Sequence, residues 1–141
     1  MENSHGIAIR WPRLILATSA AVLISFIIFG ASFFVVPVDM MQWQAEFGRP
    51  EGDPLRTLGT LGHVLESLLL ALGYFLFVRS RRLAVGAAYG LGIMAFLSAS
   101  DLTVLAAFRA GSLEFTLWMI PVNLIVGIVV GCALAWIYRA P

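Results

Sequence analysis

The sequence predicts an all-α fold, a four-helix bundle integral to a membrane, with both chain termini on the cytoplasmic side. Three observations carry this expectation. The 141-residue chain is 60% hydrophobic and only 12% charged, more apolar and less charged than an average soluble domain. The apolar residues fall into four blocks of roughly 23–26 residues, each long enough for a helix across a hydrocarbon core about 30 Å thick. The basic residues, all of them arginine, are unevenly shared between the two ends of these blocks. The blocks use most of the chain and predict one membrane domain over 1–141 with no soluble domain.

The first span is expected at Leu14–Val36. Arg10 and Arg13 before it resemble the start of a signal peptide. An apolar run of roughly 23 residues is nevertheless too long for a signal h-region, and no Ala-x-Ala-like site closes it, so the segment is expected to remain as a span. Thr18, Ser25 and Ser32 recur every seven residues and share one helical stripe. Such hydroxyls also bond back to their own helix. Val36-Pro37 should end the span, because proline restrains the residue before it.

The outer loop, 37–54, is the one sizeable extramembrane segment. Met40, Trp43 and Phe47 have helical spacing, so the loop either carries a short interfacial helix or is a turn-rich connector. Gly48-Arg49-Pro50 would stop such a helix. The second span is expected at 55–78, the third at 83–108 and the fourth at 113–138, where Pro121 frees the Leu117 carbonyl and should bend the helix. Arg10, Arg13, Arg79, Arg81, Arg82 and Arg139 fall at one side, against Arg49, Arg56 and Arg109 at the other. The side richer in arginine is the cytoplasmic one. Trp11, Trp43, Trp136 and Tyr138 lie near span ends, as an aromatic belt would.

Ionisable groups within these spans are the functional candidates, since a charge at the centre of a bilayer costs roughly 2.5–3.5 kcal/mol and is seldom kept without a role. They are His63 and Glu66 in the second span and Asp101 in the third; Asn123 in the fourth adds a hydrogen-bonding amide. At 1.5 Å per residue, Glu66 lies about 16 Å, His63 about 12 Å, Asp101 about 10 Å and Asn123 about 15 Å from the outer end of its span. The similar depths favour one shared polar site in the outer half, binding or moving a small solute or a proton. His63 and Glu66, three residues apart, share a helix face. They form either a self-neutralising pair or a proton-carrying or cation-binding one. Gly86-x-x-x-Gly90 and Gly127-x-x-x-Gly131 mark the opposite half, where small residues let helices approach closely. The expected shape is tight at the cytoplasmic end and wider outside.

Several functions are disfavoured. The net charge of +1 and the dispersed arginines do not make a nucleic-acid surface. Cys132 stands alone and reads as a small packing residue. There is no His-x-x-x-His, no cysteine ligand set and no pair of Glu-x-x-His motifs such as the di-iron bundles carry, so no metal is expected. Haem would depend on His63 alone, and no cofactor is expected. Ser98, Ser100 and Thr103 flank Asp101, but no nucleophile motif or phosphate-cradling loop is present. A catalytic role is therefore not expected.

Ser100-Asp101-Leu102-Thr103-Val104-Leu105-Ala106, followed by Arg109-Ala110-Gly111-Ser112-Leu113, closes the third span and leads into a fourth rich in small residues. Ala88–Tyr138 thereby resembles a group of small bacterial four-span membrane proteins of unknown function. Their third span ends in a Tyr-Asp-Leu-Thr-Asn-Leu-Ala-like motif. Ser100 replaces the tyrosine and Val104 the asparagine, so Asp101-Leu102-Thr103, Leu105 and Ala106 carry over. The resemblance implies four spans, the cytoplasmic membrane of a bacterium and importance for Asp101; it lends no activity.

Two functional expectations follow. One is a solute or proton site built from His63, Glu66, Asp101 and Asn123 in a homo-oligomer. The other is an accessory or assembly subunit whose polar groups hold a membrane protein partner. The lipid bilayer surrounds the protein in both.

Overall fold

A computed structural model describes residues 10–35, 40–50, 52–107 and 112–139. These residues form five α-helices: α1 (Trp11–Ser32), α2 (Met40–Phe47), α3 (Leu55–Gly73), α4 (Leu83–Ala107) and α5 (Leu113–Arg139), with a π-helical turn, Tyr74–Val78, continuing α3. No strand occurs among them. Four stretches, Trp11–Ser32, Leu55–Val78, Leu83–Ala107 and Leu113–Tyr138, are long and apolar enough to cross a membrane. The end of the first span at Val36-Pro37, the last residue of the third span, Phe108, and Arg109 lie outside the described residues.

α1 begins three residues before the apolar block. Pro12 occupies its first turn, where a missing N–H has no helical partner to lose. At the other end the backbone tightens to three-residue bonds, from Phe34 N–H to Ala31 O (3.2 Å) and Val35 N–H to Ser32 O (3.0 Å). Ser25 and Ser32 are buried and donate to Ala21 O and Phe29 O of their own helix. The stripe of hydroxyls thus serves local bonding at these positions.

The 37–54 loop contains a helix. α2 presents Trp43 to Phe115 at the start of α5, with rings stacked 4.3 Å apart and 27° from parallel. α3 then starts from an Asp53 turn. One Asp53 oxygen accepts the Leu55 N–H (2.8 Å) and the other accepts from Arg49 Nη1 (3.0 Å). The Leu55 amide, then the Arg49 guanidinium, hold the Asp53 carboxyl below the usual carboxylate range.

The end of α3 is shaped by two tyrosines. Tyr89 donates its hydroxyl to Leu70 O across the bundle (2.9 Å), and Tyr74 donates to Ser80 O (2.8 Å). The π turn closes with Arg79 N–H on Tyr74 O (3.0 Å) and Arg79 itself left-handed at φ 50°. The Arg79 Nε donates to Leu76 O, covering a carbonyl at the helix end.

α4 and α5 pack antiparallel at backbone distance. A Cβ added at Gly90 would fall on the Gly127 carbonyl, and one added at Gly86 would fall on the Gly131 carbonyl. Only residues without a side chain allow this approach. α1 lies against α5 and α3, whereas α3 and α4 meet chiefly through the π turn. The buried apolar residues run from Leu14 to Ala21 on α1, from Leu70 to Phe75 on α3 and its π turn, and from Val126 to Ile137 on α5. All belong to the half of the bundle farther from α2. That half is close-packed; the α2 half is cleft.

Candidate functional site

α3 and α4 diverge towards α2, and the in-span polar residues line the spaces this leaves. Asp101 and Asn123 face one pocket of about 470 Å³, walled by α4 and α5 and covered by Trp43 of α2. Ser98, one turn before Asp101, and Thr116 on α5 complete its polar lining; Phe29 and Phe115 supply aromatic walls. Asn123 donates from Nδ2 to Ser98 Oγ at 3.2 Å, the side-chain bond that joins α4 to α5. Thr116 donates to Ser112 O of its own helix. Asp101 is exposed to the pocket and makes no ion pair or hydrogen bond among the described residues.

His63 and Glu66 stand in a second cleft, about 220 Å³, between α1, α3 and α4. His63 Nδ1 is 3.8 Å from Glu66 Oε2, an ion-pair distance rather than a hydrogen bond. The imidazole packs edge-on to Phe26 (5.1 Å) and Phe29 (6.2 Å), and its Nε2 is buried with no partner among the described residues. The Glu66 side chain is 63% exposed, against 22% for His63. A third cleft between α1, α2 and α3, about 810 Å³, shares His63 with the second and Trp43 with the first, and carries Arg49 and Arg56.

The structure therefore brings Asp101 to Asn123, and His63 to Glu66, in neighbouring clefts rather than one shared site. The cause is rotation about the helix axes. Ser67, Leu70 and Ala71, not Glu66, are the α3 residues that turn into the core. Two contributors were not singled out from sequence as site residues: Ser98 as the partner of Asn123, and Trp43 as the cover over Asp101. Ser98 had a signal in its spacing of three from Asp101. For Trp43 the signal was helical spacing with Phe47, which says nothing of the contact with Phe115.

Among the described residues no three metal-ligating side chains come together. Cys132 is a free thiol whose Sγ lies 3.7 Å from Leu83 O, a packing contact between α5 and the start of α4.

Four apolar helices of membrane-crossing length, closed at one end and cleft at the other, define a small multi-pass integral membrane protein. No family model, curated protein or solved structure matches the chain.

Proposed function

We propose that the protein binds a small organic cation from the outer side of a bacterial cytoplasmic membrane, with Asp101 as its counter-ion. The observation that carries this is a carboxylate that has no partner among the described residues and faces a roomy pocket. A volume near 470 Å³ is within the range of small-molecule sites. With its Nδ2 engaged by Ser98, Asn123 keeps its carbonyl oxygen as an acceptor. Acceptors beside aromatic faces suit an ammonium group, which gains from both charge pairing and cation–π contact. The arginine bias supports cytoplasmic termini, so that α2 and the pocket face outward. The resemblance of Asp101-Leu102-Thr103 to the small four-span bacterial group also supports a role for Asp101.

The test is a titration of the protein in phosphatidylcholine nanodiscs with propylammonium and with 1-propanol, followed by tryptophan fluorescence. A saturable change with propylammonium, absent with 1-propanol and absent in Asp101→Asn, is expected. An equal response in wild type and Asp101→Asn would remove this reading.

A second reading, an accessory subunit held to a partner helix, is favoured by Gly59 and Gly62. Both are exposed on α3 with no other group within 4 Å of where a Cβ would be. Stoichiometric co-purification of another membrane protein from the native membrane, lost on Gly62→Leu, would support it over the first.

A further inference from the structure

We propose that the cleft between α3 and α4 is a binding site for a membrane-dissolved long-chain ammonium, with Glu66 taking the head group. The proposal is independent of the Asp101 pocket. It begins with the entry route. α1 supplies Ala21 and Ser25 as the floor, while α3 and α4 supply the walls. These two walls converge at the π turn, where Tyr89 packs edge-on to Tyr74 (5.3 Å), and one turn earlier Tyr89 bonds to Leu70 O. The opening between them is thus lateral, towards lipid. Glu66 is about 16 Å along a helix that crosses a core about 30 Å thick, so the opening lies near mid-membrane. A ligand there arrives from the bilayer, and must be largely apolar.

The lining then selects the chemistry. Leu70, Ile93, Met94 and Leu97 form apolar walls suited to an alkyl chain. The hydroxyls of Ser25 and Tyr89 are committed to backbone carbonyls and offer little to a head group, and Ser67 adds a buried, neutral hydroxyl beside Glu66. Glu66 remains, with its carboxylate 63% exposed and touched by His63 on one side at 3.8 Å. Phe26 and Phe29 hold the imidazole, making His63 a positioning residue. The arginines within the described membrane-crossing stretches, such as Arg13 and Arg56, stand in their first turns, so no arginine of these stretches neutralises Glu66 from within the bilayer. A single acceptor of negative charge at the edge of an apolar, lipid-facing cleft fits an ammonium on a hydrocarbon chain. It disfavours an anionic amphiphile, which like charge would repel.

The experiment uses the full chain in phosphatidylcholine nanodiscs with two photoactivatable probes. These are a dodecylamine and a dodecanol, each carrying a diazirine near the head. Adducts are mapped by mass spectrometry. The amine is expected to label peptides containing Ile93, Met94 and Leu97 in preference to lipid-facing α1. In Glu66→Gln that labelling should fall about tenfold, the loss of one charge-assisted hydrogen bond. The alcohol should label weakly and equally in both proteins. Leu97→Trp, which fills the cleft and leaves Glu66 intact, should remove amine labelling and serves if Glu66→Gln does not fold. Asp101→Asn should leave it unchanged, which separates this site from the outer pocket. Amine labelling spread evenly over the surface, undiminished in a folded Glu66→Gln, or undiminished in Leu97→Trp, would overturn the proposal.

Discussion

Ser98 and Asn123 are a polar pair in apolar surroundings, and their effect on stability should be modest. The bond is 3.2 Å long and crosses between helices. In a membrane such bonds average about 0.6 kcal/mol by double-mutant cycle, because the unfolded chain also finds partners within lipid. A cycle of Ser98→Ala and Asn123→Ala, read by unfolding in mixed micelles, should give a coupling of about 0.6 kcal/mol. A value near zero would mean that the amide serves the pocket and not the helix pair. Asp53 has a different task, outside the membrane. Its carboxyl is held below its usual range first by the Leu55 amide and then by Arg49. A group whose pKa is lowered on folding stabilises above its unfolded pKa, 3.8 for the reference carboxyl, and loses that contribution as pH falls through the lower folded value. Acid should therefore loosen the start of α3. Hydrogen exchange at Leu55 and Arg56 should accelerate, relative to the intrinsic rate, as pH falls below 3.8, and the change should be absent in Asp53→Asn.

At the scale of the element, glycine acts differently at two positions of α4. A Cβ at Gly90 meets the Gly127 carbonyl, whereas one at Gly92 meets nothing within 4 Å. Gly92→Ala should therefore be neutral or raise stability by up to about 1 kcal/mol, the gain in helix propensity. Gly90→Ala must push α4 away from α5 and should lower the melting temperature in detergent. Equal behaviour of the two variants would show that the close crossing does not exist. The existence of four long helices and the role of the Gly-x-x-x-Gly faces were legible because block length and side-chain size are local properties. The rotation of each helix was not. In water, a polar outer face reveals the inner one. In lipid both faces are apolar, and α1 and α4 carry leucine, isoleucine or phenylalanine around much of their surface. Nothing local states which way Glu66 turns. The π turn at Tyr74–Val78 was equally hidden, since its Tyr74 packs edge-on against Tyr89 of another helix.

The whole molecule is asymmetric along its helix axes. Counting 1.5 Å per residue puts His63, Glu66, Asp101 and Asn123 at similar levels, yet they line two clefts. The paired glycines of α4 and α5 lie towards one end and the in-span ionisable groups towards the other: the first close α4 on α5, the second line space left unfilled. Which compartment the clefts face depends on topology. Four crossing helices place both ends of the described chain on one side of the membrane. Arg10, Arg13, Arg79, Arg81, Arg82 and Arg139 belong to that side, and Arg49, Arg56 and Arg109 to the other. Arginine is retained preferentially in the cytoplasm during insertion. A reporter active only in the cytoplasm should therefore work when fused at Pro141 and fail when inserted at Gly52; a reporter active only outside should do the reverse. Neutralising Arg79, Arg81 and Arg82 together should erode this contrast, since it leaves Arg10, Arg13 and Arg139 against Arg49, Arg56 and Arg109. The opposite fusion pattern in wild type would turn the Asp101 pocket to the cytoplasm, and the cation proposed for it would then have to come from inside the cell. The lateral cleft at Glu66 would keep its access from lipid in either orientation.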